Sequence, residues 1–200
     1  MDLAVIAITF GAIFVVELPD KTFIAALVLS TRYRPLAVWA GVGTAFLVQT
    51  LIAVTVGKAV TYLPRTLVEA VAAAIFLIGA VLLFREAPKA DVEEAEAEEE
   101  YAAKASAERT GLKAAAASFL VLFAAEWGDL SQLLTISLVG KYHEPVSVFV
   151  GAWVALLVVS GLACVAGRVL LRYVKLSLIH YIGAAVCLVL AGVTTWELLA

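Results

Sequence analysis

The sequence predicts an all-α integral membrane protein, with six transmembrane helices arranged as two inverted three-helix repeats. Three observations predict it. The 200-residue chain is 64% hydrophobic, with a mean hydropathy of +1.02, where a soluble domain is about 45–50% apolar. Its apolar runs are long and continuous rather than alternating, and lipid admits only helices or closed barrels, so helices are expected. The two halves of the chain also carry the same landmarks in the same order.

Residues 3–30 form the first apolar segment. At 1.5 Å per residue it is about 42 Å long, enough to span with some tilt. Asp2 stands where the basic region of a cleavable leader would lie, and no A-x-A site follows, so this helix is expected to stay in place. Residues 36–62 and 67–84 supply the second and third spans, which close a first repeat at residues 1–84. Residues 112–139, 146–170 and 176–199 are the remaining spans, within a second repeat at residues 111–200.

The segment between the repeats, residues 85–110, is polar and alanine-rich, with seven acids in residues 91–100. It cannot bury a core of its own and is expected to be disordered or a frayed, exposed helix. It serves either as a solvated tether or as a collector that raises the local cation concentration. Its acids account for the net charge of −3, which therefore describes no binding surface.

Loop charges set the topology. Arg32, Arg34, Arg85, Lys89, Lys104, Arg109, Lys113, Arg168, Arg172 and Lys175 fall on one side, and Lys58, Arg65 and Lys141 on the other. This bias predicts both termini outside and residues 85–110 in the cytoplasm. Within the spans, Glu17-x-x-Asp20 matches Glu126-x-x-Asp129, Pro35 matches Pro145, Gly41 matches Gly151, and Gly57-Lys58 matches Gly167-Arg168; Gly79 and Gly192 come late in the third and sixth spans. Three helices is an odd number, so the second copy enters the membrane upside down. Inverted repeats meeting at a midplane site are the architecture of many secondary transporters.

The acids decide the chemistry. A carboxylate at the centre of a membrane helix costs about 2.5–3.5 kcal/mol, so four of them imply a cation that visits. Residues three apart share a helical face, which groups Glu17 with Asp20 and Glu126 with Asp129. Gln132 continues the second stripe with Thr135 beyond it, and Thr22 and Ser131 add hydroxyls. An oxygen-rich set of this kind suits hard divalent cations such as Ca²⁺, Mn²⁺ or Mg²⁺. Four carboxylates cannot all stay ionised without one. Protons then compete with the metal for the same oxygens, which is a physical basis for cation/proton antiport. Alternatively the acids are glue between helices, paired for instance with Lys21, although one lysine cannot neutralise four acids. Lys21 itself is either a tethered counter-charge or a snorkelling side chain. Pro19 and Gly128 hold the same place in the two motifs and are expected to kink or loosen their helices, or to allow close packing.

Glu17-Leu18-Pro19-Asp20-Lys21-Thr22 resembles the E-x-G-D-K-T signature, and Glu126-Trp127-Gly128-Asp129-Leu130-Ser131 resembles its second copy. They are similar to uncharacterised protein family 0016, the family of Golgi transmembrane protein 165 and of bacterial manganese exporters, over the whole chain. The resemblance implies export of Mn²⁺, and of Ca²⁺ as an alternative cargo, from the cytosol in exchange for protons across a bacterial plasma membrane. Glu17, Asp20, Glu126 and Asp129 would then bind the ion, with Thr22, Ser131 and Gln132 as supporting groups. Pro19 departs from the signature's glycine and Leu130 from the basic residue of its second copy. The lost positive charge bears on ion selectivity and proton count.

Other readings use the same acids: a passive cation channel or a proton-only carrier. Enzyme chemistry lacks a basis, with no H-E-x-x-H, no G-x-S-x-G and no nucleophile paired with a base. No cofactor and no nucleic-acid partner is expected beyond the transported ions, protons and lipid; the oligomeric state is left open. Cys164 and Cys187 read as buried apolar thiols. His143 and His180 read as solvated or packing residues, because nothing in the sequence places them beside the acids. Glu69, Glu144 and Glu197 read as unpaired surface acids. Trp39, Trp153 and Trp196 read as interfacial belt residues, and Trp127 as a wall of the site or a lipid-facing ring. Gln49 either ligates an ion or bonds a neighbouring helix.

Overall fold

The computed structural model describes residues 1–18, 20–105, 111–173 and 175–199, the side chains at 91, 93, 94, 104 and 167–173 excepted. The expected kink at Pro19 and the side chains of Lys104, Arg109, Arg168 and Arg172 lie outside this description. Among the described residues there are nine helices and no strand: α1 (Leu3–Glu17), α2 (Lys21–Arg32), α3 (Pro35–Val60), α4 (Arg65–Glu86), α5 (Ala90–Lys104), α6 (Leu112–Ala125), α7 (Leu130–Tyr142), α8 (Pro145–Tyr173) and α9 (Leu176–Leu199). Helices α3, α4, α8 and α9 are long and apolar enough to cross a membrane. The pairs α1–α2 and α6–α7 are each bent by 71° at a short break and raise the number of candidate spans to six when each counts as one.

Residues 3–30 and 112–139 are therefore not single helices. The reason lies in the acids. Asp20 and Asp129 stand as N-caps of α2 and α7 in extended backbone, their carboxylates accepting from the Lys21 and Ser131 backbone N–H groups. Aspartate is a strong N-cap and a poor interior helix residue, so each chain restarts its helix there. Pro35 and Pro145 open α3 and α8, where a missing N–H costs nothing.

The halves interlock. Helices α1 and α2 lie on α8, α6 and α7 lie on α3, α3 packs on α8, and α4 runs along α9. Two matched glycines set the closest crossings. A Cβ at Gly151 would sit 2.6 Å from the Ile6 carbonyl oxygen, and one at Gly41 would overlap the Ala115 carbonyl oxygen. Ile6 and Ala115 are as far apart in the chain as Glu17 and Glu126, so the two crossings fall at matching places along the chain. The indoles of Trp39 and Trp153, expected in lipid belts, instead donate across the α3–α8 boundary, to Leu157 O at 2.9 Å and Gly43 O at 3.2 Å. Gln49 bonds a neighbour, donating to Phe123 O at 2.9 Å.

The linker also departs from expectation. Helix α5 is seated against α2 and α9 rather than frayed. Ala90, Ala97, Tyr101 and Ala105 are buried, and their spacing of seven, four and four residues is one stripe of a helix. That stripe, hidden among acids, supplies the apolar face that composition did not advertise. Each surface acid thought unpaired has a partner: Glu69 with Arg65 at 2.6 Å, Glu144 with the N-terminus at 3.8 Å and Glu197 with Lys141 at 3.1 Å. Cys164 and Cys187 are buried free thiols.

Candidate cation site

Glu17 closes α1, Asp20 opens α2, Glu126 follows α6 and Asp129 opens α7. The two breaks thus bring all four acids together, and one oxygen from each lies within 4.8 Å of the others. They meet because each helix ends and restarts there, not because residues three apart share a helical face. Two oxygens on opposite sides of a Ca²⁺-sized ion, at about 2.3–2.6 Å each, stand about 4.6–5.2 Å apart, a span comparable to that of the cluster.

The acids are deep. Glu17 is 0% and Glu126 3% exposed, while Asp20 and Asp129 are half-buried. Thr22 Oγ1 donates to Glu17 Oε1 at 3.0 Å. Glu17 Oε2 and Glu126 Oε1 are buried without a hydrogen-bond partner among the described residues. A buried carboxylate oxygen left unbonded is costly, and a cation in the cluster would satisfy both. Thr9 and Ser118, matched in the two halves like the acids, are the other two buried hydroxyls so left. Lys21 is exposed and makes no ion pair with the acids among the described residues, so the reading of paired glue finds no partner here.

The supporting groups divide. Thr22 bonds the site directly. Ser131 gives its backbone N–H to Asp129 at 3.3 Å, and Thr135 donates back to Ser131 O at 2.8 Å. Gln132 Oε1 accepts from the Gly128 N–H at 3.0 Å and so braces the break, and the same residue borders the small void beside Glu126. Trp127 is exposed, leans on Phe123 and does not line the cavity that reaches the acids.

Gly128 has φ +81°, and a Cβ there would meet nothing within 4 Å. Its requirement is therefore backbone conformation, not space. Gly128→Ala should cost about 1–2 kcal/mol, the penalty of left-handed backbone, and Gly128→Asn should recover part of it. Thermal melts of the purified variants check the order Gly, Asn, Ala.

Among the described residues, two cavities of very different size flank the acids. A cavity of about 660 Å³ reaches Asp20, Glu126 and Asp129, and is walled by residues of α2, α4, α5, α7 and α9, among them Glu86, Tyr101 and His180. On the α3 side, a void of about 10 Å³ lies behind Glu126, bounded by Gln49, Thr50, Ser131, Gln132 and Thr135. That is about the room for one water. His180 was read as remote from the acids, yet it lines their cavity, because α9 crosses beside α4. Its Nδ1 lies 3.0 Å from Leu176 O. A carbonyl only accepts, so Nδ1 carries a proton.

The family described as divalent cation/proton antiporter GDT1 matches residues 5–91 and again residues 114–200. The second match begins as far after the first as Glu126 lies after Glu17. The chain is 32% identical to the chloroplastic PAM71-homolog of Arabidopsis thaliana over 206 residues, 92% of this chain and 57% of that protein. It is 30% identical to a GDT1-like protein of Synechocystis, over 97% of this chain and 98% of that one. A GDT1-like protein of Schizosaccharomyces pombe is 26% identical over 88% of this chain and 76% of its own length. The chain thus spans little more than half of the Arabidopsis relative. No solved structure matches.

Proposed function

Because the chain belongs to the GDT1 divalent cation/proton antiporter family, we propose that it is itself a secondary transporter that exports a divalent cation, Mn²⁺ or Ca²⁺, from the cytosol in exchange for protons. The observation that carries this reading is the convergence of Glu17, Asp20, Glu126 and Asp129, with two oxygens unpartnered, at the meeting of two broken helix pairs. The four acids bind the cation; Thr22 and the Ser131 N–H orient two of them. Metal arriving displaces protons from the carboxylates, and protons arriving from the other side release the metal.

The two halves act as inverted repeats, and the matched crossings Gly41–Ala115 and Gly151–Ile6 support this. With residues 85–110 cytoplasmic, as the loop charges favour, the large cavity lies on the inner side of the acids, beside α5. The water-sized void on the far side is then the closed outer path. A channel needs a continuous pore, and the large cavity on one side of the acids against the water-sized void on the other supports a carrier over the passive channel.

Proteoliposomes test this. Mn²⁺ and Ca²⁺ flux should rise with an opposing proton gradient, and metal addition without a gradient should drive protons the other way. Metal flux indifferent to the pH gradient would return the protein to the channel reading, and no metal flux at all would refute transport.

A further inference from the structure

Helix α5 is anchored by a stripe of small buried residues, Ala90, Ala97 and Ala105, and one large one, Tyr101. Ala97 and Ala105 do not line the cavity that leads to the acids, whereas Ala90, Glu100 and Tyr101 do. Tyr101 is only 5% exposed although it belongs to the polar connection between the repeats. A connecting segment that only tethers two halves has no cause to bury an aromatic ring in the approach to their site.

Electrostatics place the ring close to that site. The Tyr101 phenol is pushed up to about 12, first by burial and then by the negative charges of Glu100, Asp20 and Glu126. It therefore stays neutral at every physiological pH and adds bulk, not charge, to the approach.

We propose that α5 is the inner gate of the cation path, with the Tyr101 ring as the plug that stands between the four acids and the linker-side mouth. When α5 is seated, a cation passes only as the ring yields. The acidic outer face of α5 then lies at the gate itself rather than on a remote tether. The inference rests on the transport reading for its cargo, but its geometry is tested without any metal.

Leu130 lines the cavity beside Asp129, so Leu130→Cys offers a thiol behind the proposed plug. Cys164 and Cys187 are replaced by alanine, and the reaction of that thiol with a cationic methanethiosulfonate is timed. Adding Tyr101→Ala should speed labelling about tenfold or more, the least that losing a buried aromatic contact implies. Tyr101→Phe, which keeps the ring, should label at the parent rate. Ala97→Glu should also speed labelling, because it unseats α5 without altering a cavity residue; it stands in if Tyr101→Ala does not fold. Labelling unchanged by the folded variants overturns the gate, and so does a Tyr101→Phe protein as fast as the alanine one. Mn²⁺ flux is measured on the same proteins. Absent flux in the wild type defeats the transport reading alone, and the labelling rates still judge the gate.

Discussion

Glu17→Gln should give a folded protein that no longer moves its cation. Glutamine keeps the volume and leaves a carbonyl oxygen to accept from Thr22 Oγ1, so the packing around this fully buried residue is preserved. Only the charge is lost. At an effective dielectric near 20, two unit charges 4 Å apart interact by about 4 kcal/mol, which is close to three orders of magnitude in an equilibrium constant. Transport should fall by at least about a hundredfold. Stability should move the other way or not at all, because the acids crowd one another and one fewer charge relieves repulsion. Glu126→Gln should behave alike, since Glu126 holds the matching position with its own unbonded oxygen. Mn²⁺ flux in proteoliposomes and thermal melts of the same preparations check the two signs together. Wild-type flux from either variant would remove the cluster from the mechanism.

The second large effect lies away from the acids. Gly41→Ala should cost about 3 kcal/mol or more, the upper range for overpacking, because its methyl would overlap the backbone carbonyl of Ala115. A side chain can rotate out of the way; a helix backbone cannot. Helix α6 would have to move off α3, and Glu126 would move with it, so flux should fall along with the melting temperature. Gly11→Ala is the control. Nothing lies within 4 Å of its Cβ, and alanine gains up to about 1 kcal/mol in a helix interior. Gly151→Ala should resemble Gly41→Ala, with Ile6 O in the place of Ala115 O. If Gly41→Ala melts like Gly11→Ala, the crossing is looser than described.

Much of this was legible in the residues. The four acids, the hydroxyls beside them, the six apolar segments and the matched prolines and glycines all follow from cost in lipid and from chain order. Two things did not. The i,i+3 spacing suggested a shared helical face, but aspartate's tendency to cap broke both helices and made the breaks the meeting point. The acidic linker hid a helix, because a stripe of alanines and one tyrosine carries little hydropathy while still fitting a groove. His180 was misplaced for a related reason: which helices neighbour one another is a tertiary fact, and no local pattern gives it. The paired role of Gly41 and Gly151 lay half in view, since their register was plain but the backbone each would meet was not.

Two of the four tryptophans bond across the α3–α8 boundary, while Trp127 and Trp196 stand exposed at the periphery. Indole emission responds to whether its N–H is bonded and to how polar its surroundings are. The protein thus carries its own optical reporters at the seam: sliding α3 along α8 would break the Trp39 and Trp153 bonds and shift the fluorescence, with no dye attached.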